Sequence, residues 1–336
     1  MTWNIDPNDF PYDGPLAAQL RFALQYATLA PSSHNSQPWR FIIDDHQIHL
    51  VADRSRALPV VDPYDRELLI SCGAALMNLC VALARFDIGY EIEALPAQAD
   101  PDLLATLRLR DDRPANPDLV RLFPALTERC TNRLPFVAEP VPDSLQAQLS
   151  AAAEAEGVSL TPVRGESLRL ELAALVTEAD QMQFADPRFR RELASWLHPQ
   201  RASEGMPAYA PSIPTLLDFE SPIMSLVART FDLGEGVAAR DGELARGSPL
   251  LLCFATTRDT APDWLFTGQA LERVLLAARL EGYDASYLNQ PIEIPALRQR
   301  LRDLLGLDGM PQLLIRLGKG PRATHTPRRP VEAVVS

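Results

Sequence analysis

The sequence predicts an α+β protein built as two related halves in one chain, meeting near residue 125. Two observations carry the prediction. Helical and strand-like segments alternate along the chain, and one order of segments occurs twice. The stretch CGAALMNLCVALARFDIGYEIEALP, which begins at Cys72, is paralleled with a small gap by TGQALERVLLAARLEGYDASYLNQP, which begins at Thr267. Both read as glycine-opened, Ala/Leu-rich helices running into a Gly-Tyr pair and a strand that ends at proline. Further on, QLLIRLG echoes LLATLRL. The halves are therefore expected at residues 1–125 and 126–336.

The elements follow in order. Leu16 to Ala30 reads as an amphipathic helix stopped by Pro31, whose ring cannot continue it. The polar stretch PSSHNSQPW, bounded by prolines, is a structured loop. Trp39 to Ile43 and Ile48 to Val51 are short strands around a turn at Asp44 and Asp45. From Arg66 to Phe86 the apolar residues wrap nearly the whole circumference of a helix, which marks a buried central helix. Asp65, Arg66 and Glu67 stand where they can cap and orient it. Strands are expected at Gly89–Leu95, Leu103–Leu109 and Leu250–Ala255. Residues 186–247 mix Pro, Gly, Met and aromatics over a length unusual for a connection, and read as a lid-like insertion or an arm across a partner.

Composition narrows the function. An apolar content of 46% and a charged content of 23% are those of an ordinary globular chain. A net charge of -12 argues against a nucleic-acid binder or a peripheral membrane protein. Lys319 is the only lysine, so any grip on an anion falls to arginine forks. Cys72, Cys80, Cys130 and Cys253 form no CxxC pair and have no histidine companions, so neither a metal site nor a disulfide framework is expected. The acidic, proline-rich start is unlike a signal peptide, and no apolar run approaches the roughly 20 residues of a membrane span, so a cytoplasmic location is expected.

Three motifs carry chemistry. Pro31, Ser32, Ser33, Asn35 and Gln37 form a row of short hydroxyls and amides in the PSSHNSQPW loop, with Trp39 as its anchor. Arg129, Thr131 and Arg133 alternate, so they point the same way if that stretch is extended. A basic pair, Arg328 and Arg329, lies near the C-terminus, either of which could join the cluster.

These motifs, with the DRELLISCGAALMNL helix, resemble the nitroreductase family in its Acg-type branch. The resemblance implies a nitroreductase-like fold and an FMN cofactor. The hydroxyl and amide row would face the flavin edge, Arg129, Thr131 and Arg133 would grip the phosphate and ribose, and Arg328 or Arg329 would assist. Gln290, in Asn289-Gln290-Pro291, would lie against the flavin face. The first half has the loop and the second half has the arginines. The chain therefore resembles a fused dimer, an intramolecular pseudo-dimer with one composite site, and is expected to be a monomer. No catalytic side chain is implied, because the flavin carries the chemistry. NADH or NADPH would reduce it in a ping-pong cycle, and a small-molecule acceptor such as a nitro compound or quinone would reoxidise it. The alternative is a lid-covered FMN-binding or storage protein with little reductase activity.

Overall fold

The computed structural model describes residues 3–97, 99–198, 203–207 and 234–336. The N-terminal part of the chain supplies helix α1 (Leu16–Ala27), strands β1 (Trp39–Asp44) and β2 (Gln47–Ala52), helix α2 (Arg66–Arg85), and strands β3 (Tyr90–Ala94) and β4 (Leu103–Leu109). The C-terminal part supplies α3 (Asp143–Glu154), β5 (Ser159–Pro162), α4 (Glu166–Ala185), α5 (Pro187–Ser195), α6 (Gly234–Gly247), β6 (Leu250–Thr256), α7 (Ala261–Leu280), β7 (Asp284–Tyr287), α8 (Pro295–Leu304) and β8 (Met310–Gly318).

The strands form two four-stranded antiparallel sheets with the same order: β1-β2-β4-β3 and β5-β6-β8-β7. In each part the second strand leads to a long helix, and the helix leads back to an edge strand. The two long helices, α2 and α7, pack against each other at the centre of the molecule, while α1 packs on α2 and α3 packs on α7. One hydrophobic core runs through both sheets and both central helices.

The apolar circumference of α2 has a direct consequence: every residue from Arg66 to Ala84 is buried. By length and composition this helix could cross a bilayer, contrary to the expectation that no run comes close, but it is wholly enclosed in the fold. The crossing of α2 and α7 is made by glycines. A β-carbon on Gly73 would lie 2.0 Å from the Leu265 carbonyl oxygen, and one on Gly268 would lie 2.0 Å from that of Ile70. The start of α2 also departs from expectation. Asp65 has a left-handed φ of 57° and its side chain makes no cap bond; the Asp62 carboxylate accepts from the Leu68 amide instead. Asp65 pairs with Arg54.

Two segments outside the named strands flank the sheets. The Phe41 amide on β1 donates to Val334, and Ser336 donates back to Phe41, so the C-terminal residues flank the first sheet. Thr131 bridges to Ala285 and the Asn132 amide donates to Ala285, so the stretch after residue 130 flanks the second. The predicted insertion at 186–247 is described except for residues 199–202 and 208–233. Its described parts reach the connection between β2 and α2: Phe189 and Val237, with Phe184 at the end of α4, pack with Leu58 and Val61. Glu192 accepts from the Val60 and Val61 amides, and Glu204 pairs with Arg56.

Candidate functional site

Where the two parts meet, they enclose a cavity of about 270 Å³. The PSSHNSQPW loop forms one wall, and its backbone is unusual. His34, Asn35 and Gln37 take φ values of 54°, 54° and 51°. Left-handed non-glycine residues cost roughly 1–3 kcal/mol each and persist only where surroundings over-determine them. Here the ties are visible. The Gln37 amide donates to Ser32 Oγ at 2.9 Å, Ser33 Oγ donates to Glu67 on α2 at 2.5 Å, and Trp39 is fully buried behind the loop. Pro31, Ser32, Ser33 and Asn35 thereby line the cavity.

Gln37 does not. Its side chain is fully buried and joins two other segments: Nε2 donates to Ser203 and Oε1 accepts from the Arg329 amide. Asn35 lines the cavity but also acts as a strut, donating to the carbonyls of Gly205 and Pro327 and accepting from Arg328. Asn35→Ala strands these buried partners, so FMN retention is expected to suffer along with stability, by about 2–3 kcal/mol. Thermal unfolding and flavin titration of the variant check this.

The arginines divide by environment. Thr131 and Arg133 line the cavity, whereas Arg129 is outside it. The reason is local. The Arg129 amide still donates to Ala125 in a helical turn, so extended backbone begins only after it. Arg129 is instead buried against Glu272 of α7 at 3.2 Å and donates to Leu29. Burial pushes the Glu272 carboxyl up to about 7, against the pull of Arg129 and Arg328. Arg328 lines the cavity and donates to Asn35 Oδ1 at 2.9 Å. Arg329 turns away to Gln37, Asp53 and Ala333. Of the eleven binding residues expected from the sequence, Gln37, Arg129 and Arg329 therefore lie off the cavity wall.

Arg316 on β8 joins the wall without having been singled out from the sequence. It is 1% exposed, stacks 4.3 Å over the Phe136 ring, and donates Nη2 to Asn132 and Leu134. Its Nε and Nη1 meet no acceptor among the described residues. Arg133 likewise has no hydrogen bond or ion pair to a described residue; burial lowers its pKa, against the favourable charges of Tyr287 and Asp241. A buried guanidinium without an acceptor is costly, so this wall is built for an anionic or electron-rich ligand.

The same cavity is also lined by acids. Gln290 donates to Asp241 of α6 at 2.8 Å, Gln183 donates to Glu293, and Asp180 of α4 is 2% exposed with Oδ2 unpartnered among the described residues. Burial first, then the Asp241 charge, raises Asp180 to about 8; burial raises Asp241 to about 6. Burial, helped by the Arg133 charge, lowers His34 to about 4, so its ring is neutral near pH 7. For acids whose folded pKa lies above the unfolded value, the native state holds more protons, so stability falls as pH rises from about 4 to about 8. Asp180→Asn is expected to flatten that decline in the flavin-free protein, as read by denaturant unfolding at pH 5 and pH 8.

Comparisons with known proteins give the family. The model of the family described as "Nitroreductase family" matches residues 126–319. The acg protein of Mycobacterium tuberculosis strain H37Rv, whose name assigns it to the NAD(P)H nitroreductases, is 32% identical over 94% of both chains. The chain belongs to the nitroreductase family. PigM of Serratia sp. strain ATCC 39006, also named as an NAD(P)H nitroreductase, is 25% identical over 94% of this chain and 93% of its own. Among solved structures, the NADPH:FMN oxidoreductase of Vibrio harveyi aligns with a TM-score of 0.41 at 15% identity, over 64% of this chain and 76% of its own. Within this nitroreductase-family chain, sequence reasoning missed Arg316, and it missed Asp180, Asp241 and Glu293 because nothing local marks them. The signal that could have found Arg316 is a charge inside the apolar strand pattern QLLIRLG, where burial demands a partner.

Proposed function

We propose that this chain is an NAD(P)H-dependent oxidoreductase that holds one FMN in the cavity between two related halves, residues 1–125 and 126–336, which act as an intramolecular pseudo-dimer. The observation that carries the reading is the pairing of Arg316, whose Nε and Nη1 meet no acceptor among the described residues, and Arg133 on the same wall with a strained hydroxyl and amide loop across the same cavity. The identical strand order of the two sheets and the reciprocal glycines of α2 and α7 support the pseudo-dimer. One set of loop residues and one set of arginines then make one composite site, and the protein acts as a monomer.

FMN, when bound, supplies the two-electron chemistry linking NAD(P)H oxidation to reduction of a nitro compound, quinone or similar acceptor. The chain's own residues do the rest. Arg328, with Thr326, holds the phosphate; Arg133 and Arg316 offset negative charge on the ligand; Ser32, Ser33 and Asn35 present short polar groups without adding charge. Phe184, Phe189 and Leu193 shield the cavity from water. A second reading, an FMN-binding or storage protein with little turnover, is favoured by the docking of the arm on Leu58 and Val61.

One experiment separates the readings. FMN is released and quantified from purified protein, and NADH and NADPH oxidation is followed with nitroaromatic and quinone acceptors. One FMN per chain with turnover supports the oxidoreductase, and one FMN without turnover supports storage. Two FMN per chain would overturn the composite site. A colourless protein indifferent to added FMN would overturn both.

A further inference from the structure

Residues 3–10 run as a strap between two fixed points. At one end Phe10 is 5% exposed and stacks on Phe86 at 4.0 Å, beside the α1 and α2 packing. At the other, the half-buried Trp3 lies on the C-terminal segment that carries Arg328. Its indole Nε1 donates to the Thr326 carbonyl at 2.8 Å, and its ring meets the His325 ring at 4.1 Å. The Arg328 guanidinium sits over the same indole at 5.0 Å. Thr326 and Arg328 both line the cavity. Their segment, from residue 319 to residue 330, has no helix or strand of its own to fix it.

We propose that Trp3 is a positioning residue for the anion grip: it holds the Thr326–Arg328 segment and orients the Arg328 guanidinium toward the cavity. This rests on the reading above, in which Arg328 meets the FMN phosphate. The physical case has two parts. The indole N–H fixes the backbone of Thr326, two residues from Arg328. The indole face attracts the guanidinium that also donates to the Asn35 amide oxygen and the Leu29 carbonyl, and so narrows its rotamers before a ligand arrives. The His325 ring stays neutral, because burial and then the Arg129 and Arg328 charges lower it to about 4, so it packs on Trp3 without opposing Arg328. A charge-bearing side chain thus gains its order from the other end of the chain.

The test compares FMN with riboflavin, which lacks the phosphate, in fluorescence titrations of flavin-free protein. Trp3→Ala should weaken FMN by about three- to thirtyfold and leave riboflavin within about twofold, the span expected from losing a partly desolvated cation–π contact. Trp3→Phe, which keeps a ring over the guanidinium, should recover most of the loss. In an Arg328→Met background, Trp3→Ala should add nothing. Equal weakening of FMN and riboflavin would mean that Trp3 is merely structural and would overturn the proposal, as would no change in either. If Arg328→Met lowers the preference for FMN and Trp3→Ala does not, only the role of Trp3 falls. If Arg328→Met leaves the preference intact, the assignment of the phosphate to Arg328 falls and the proposal falls with it.

Discussion

Arg133→Ala is expected to weaken FMN binding about tenfold to a hundredfold, because a charge-assisted hydrogen bond contributes roughly 1.5–3 kcal/mol. The guanidinium makes no hydrogen bond or ion pair with a described residue and feels Asp241 only as a nearby charge, so its removal should cost the fold less than removal of a paired arginine. Arg129→Ala makes the contrast. That residue is buried against Glu272, which is itself fully buried. Removing it leaves a carboxylate without its cation and should cost about 3–5 kcal/mol of stability at pH 8. The cost should shrink below about pH 7, where Glu272 takes a proton instead. Flavin titration and denaturant unfolding of both variants, at pH 6 and pH 8, check the pair. An Arg133→Ala protein with unchanged affinity would count against the anionic wall.

Gly268→Val should be the most damaging single change in the core. Even a β-carbon would meet the Ile70 carbonyl at 2.0 Å and the Gly73 α-carbon at 2.8 Å. Both neighbours are backbone, so relief requires α2 and α7 to separate. Overpacking of this kind costs typically 1–3 kcal/mol, and about 3 kcal/mol or more is expected where a helix crossing must open. Because α2 carries Glu67 and Ser71 on the cavity wall and α7 carries Leu271, the same displacement should lower FMN affinity. Gly73→Val should behave alike, since the contact is reciprocal. Thermal unfolding and flavin titration of both variants give the measurement, and normal stability in either would show that the helices can part at little cost.

Much of the fold was legible in the chain. The order and type of the elements from Trp39 to Leu109 could be read from the local pattern, because β1 and β2 alternate between buried and less buried residues and α2 is apolar all round. The match of CGAALMNL to TGQALERV aligned Gly73 with Gly268, and these two glycines touch in the folded protein. The loop of Pro31–Asn35 was legible for a different reason: its hydroxyls, amides and flanking prolines are contiguous. Thr131, Arg133 and Arg328 also line the cavity.

What sequence determined by itself was local: which stretches are helix or strand, which face is apolar, and which polar groups sit together in one loop. Only the tertiary structure decided which charges meet. Arg129 and Arg133 are four residues apart, yet one is bound to Glu272 and the other opens on a cavity, because the helical turn ends between them. Arg316, Asp180 and Asp241 come to the site from separate elements, and Trp3 meets Arg328 from the far end of the chain. A side chain's partner is set by distance in space, and sequence spacing stops reporting that distance beyond about one helical turn or one strand.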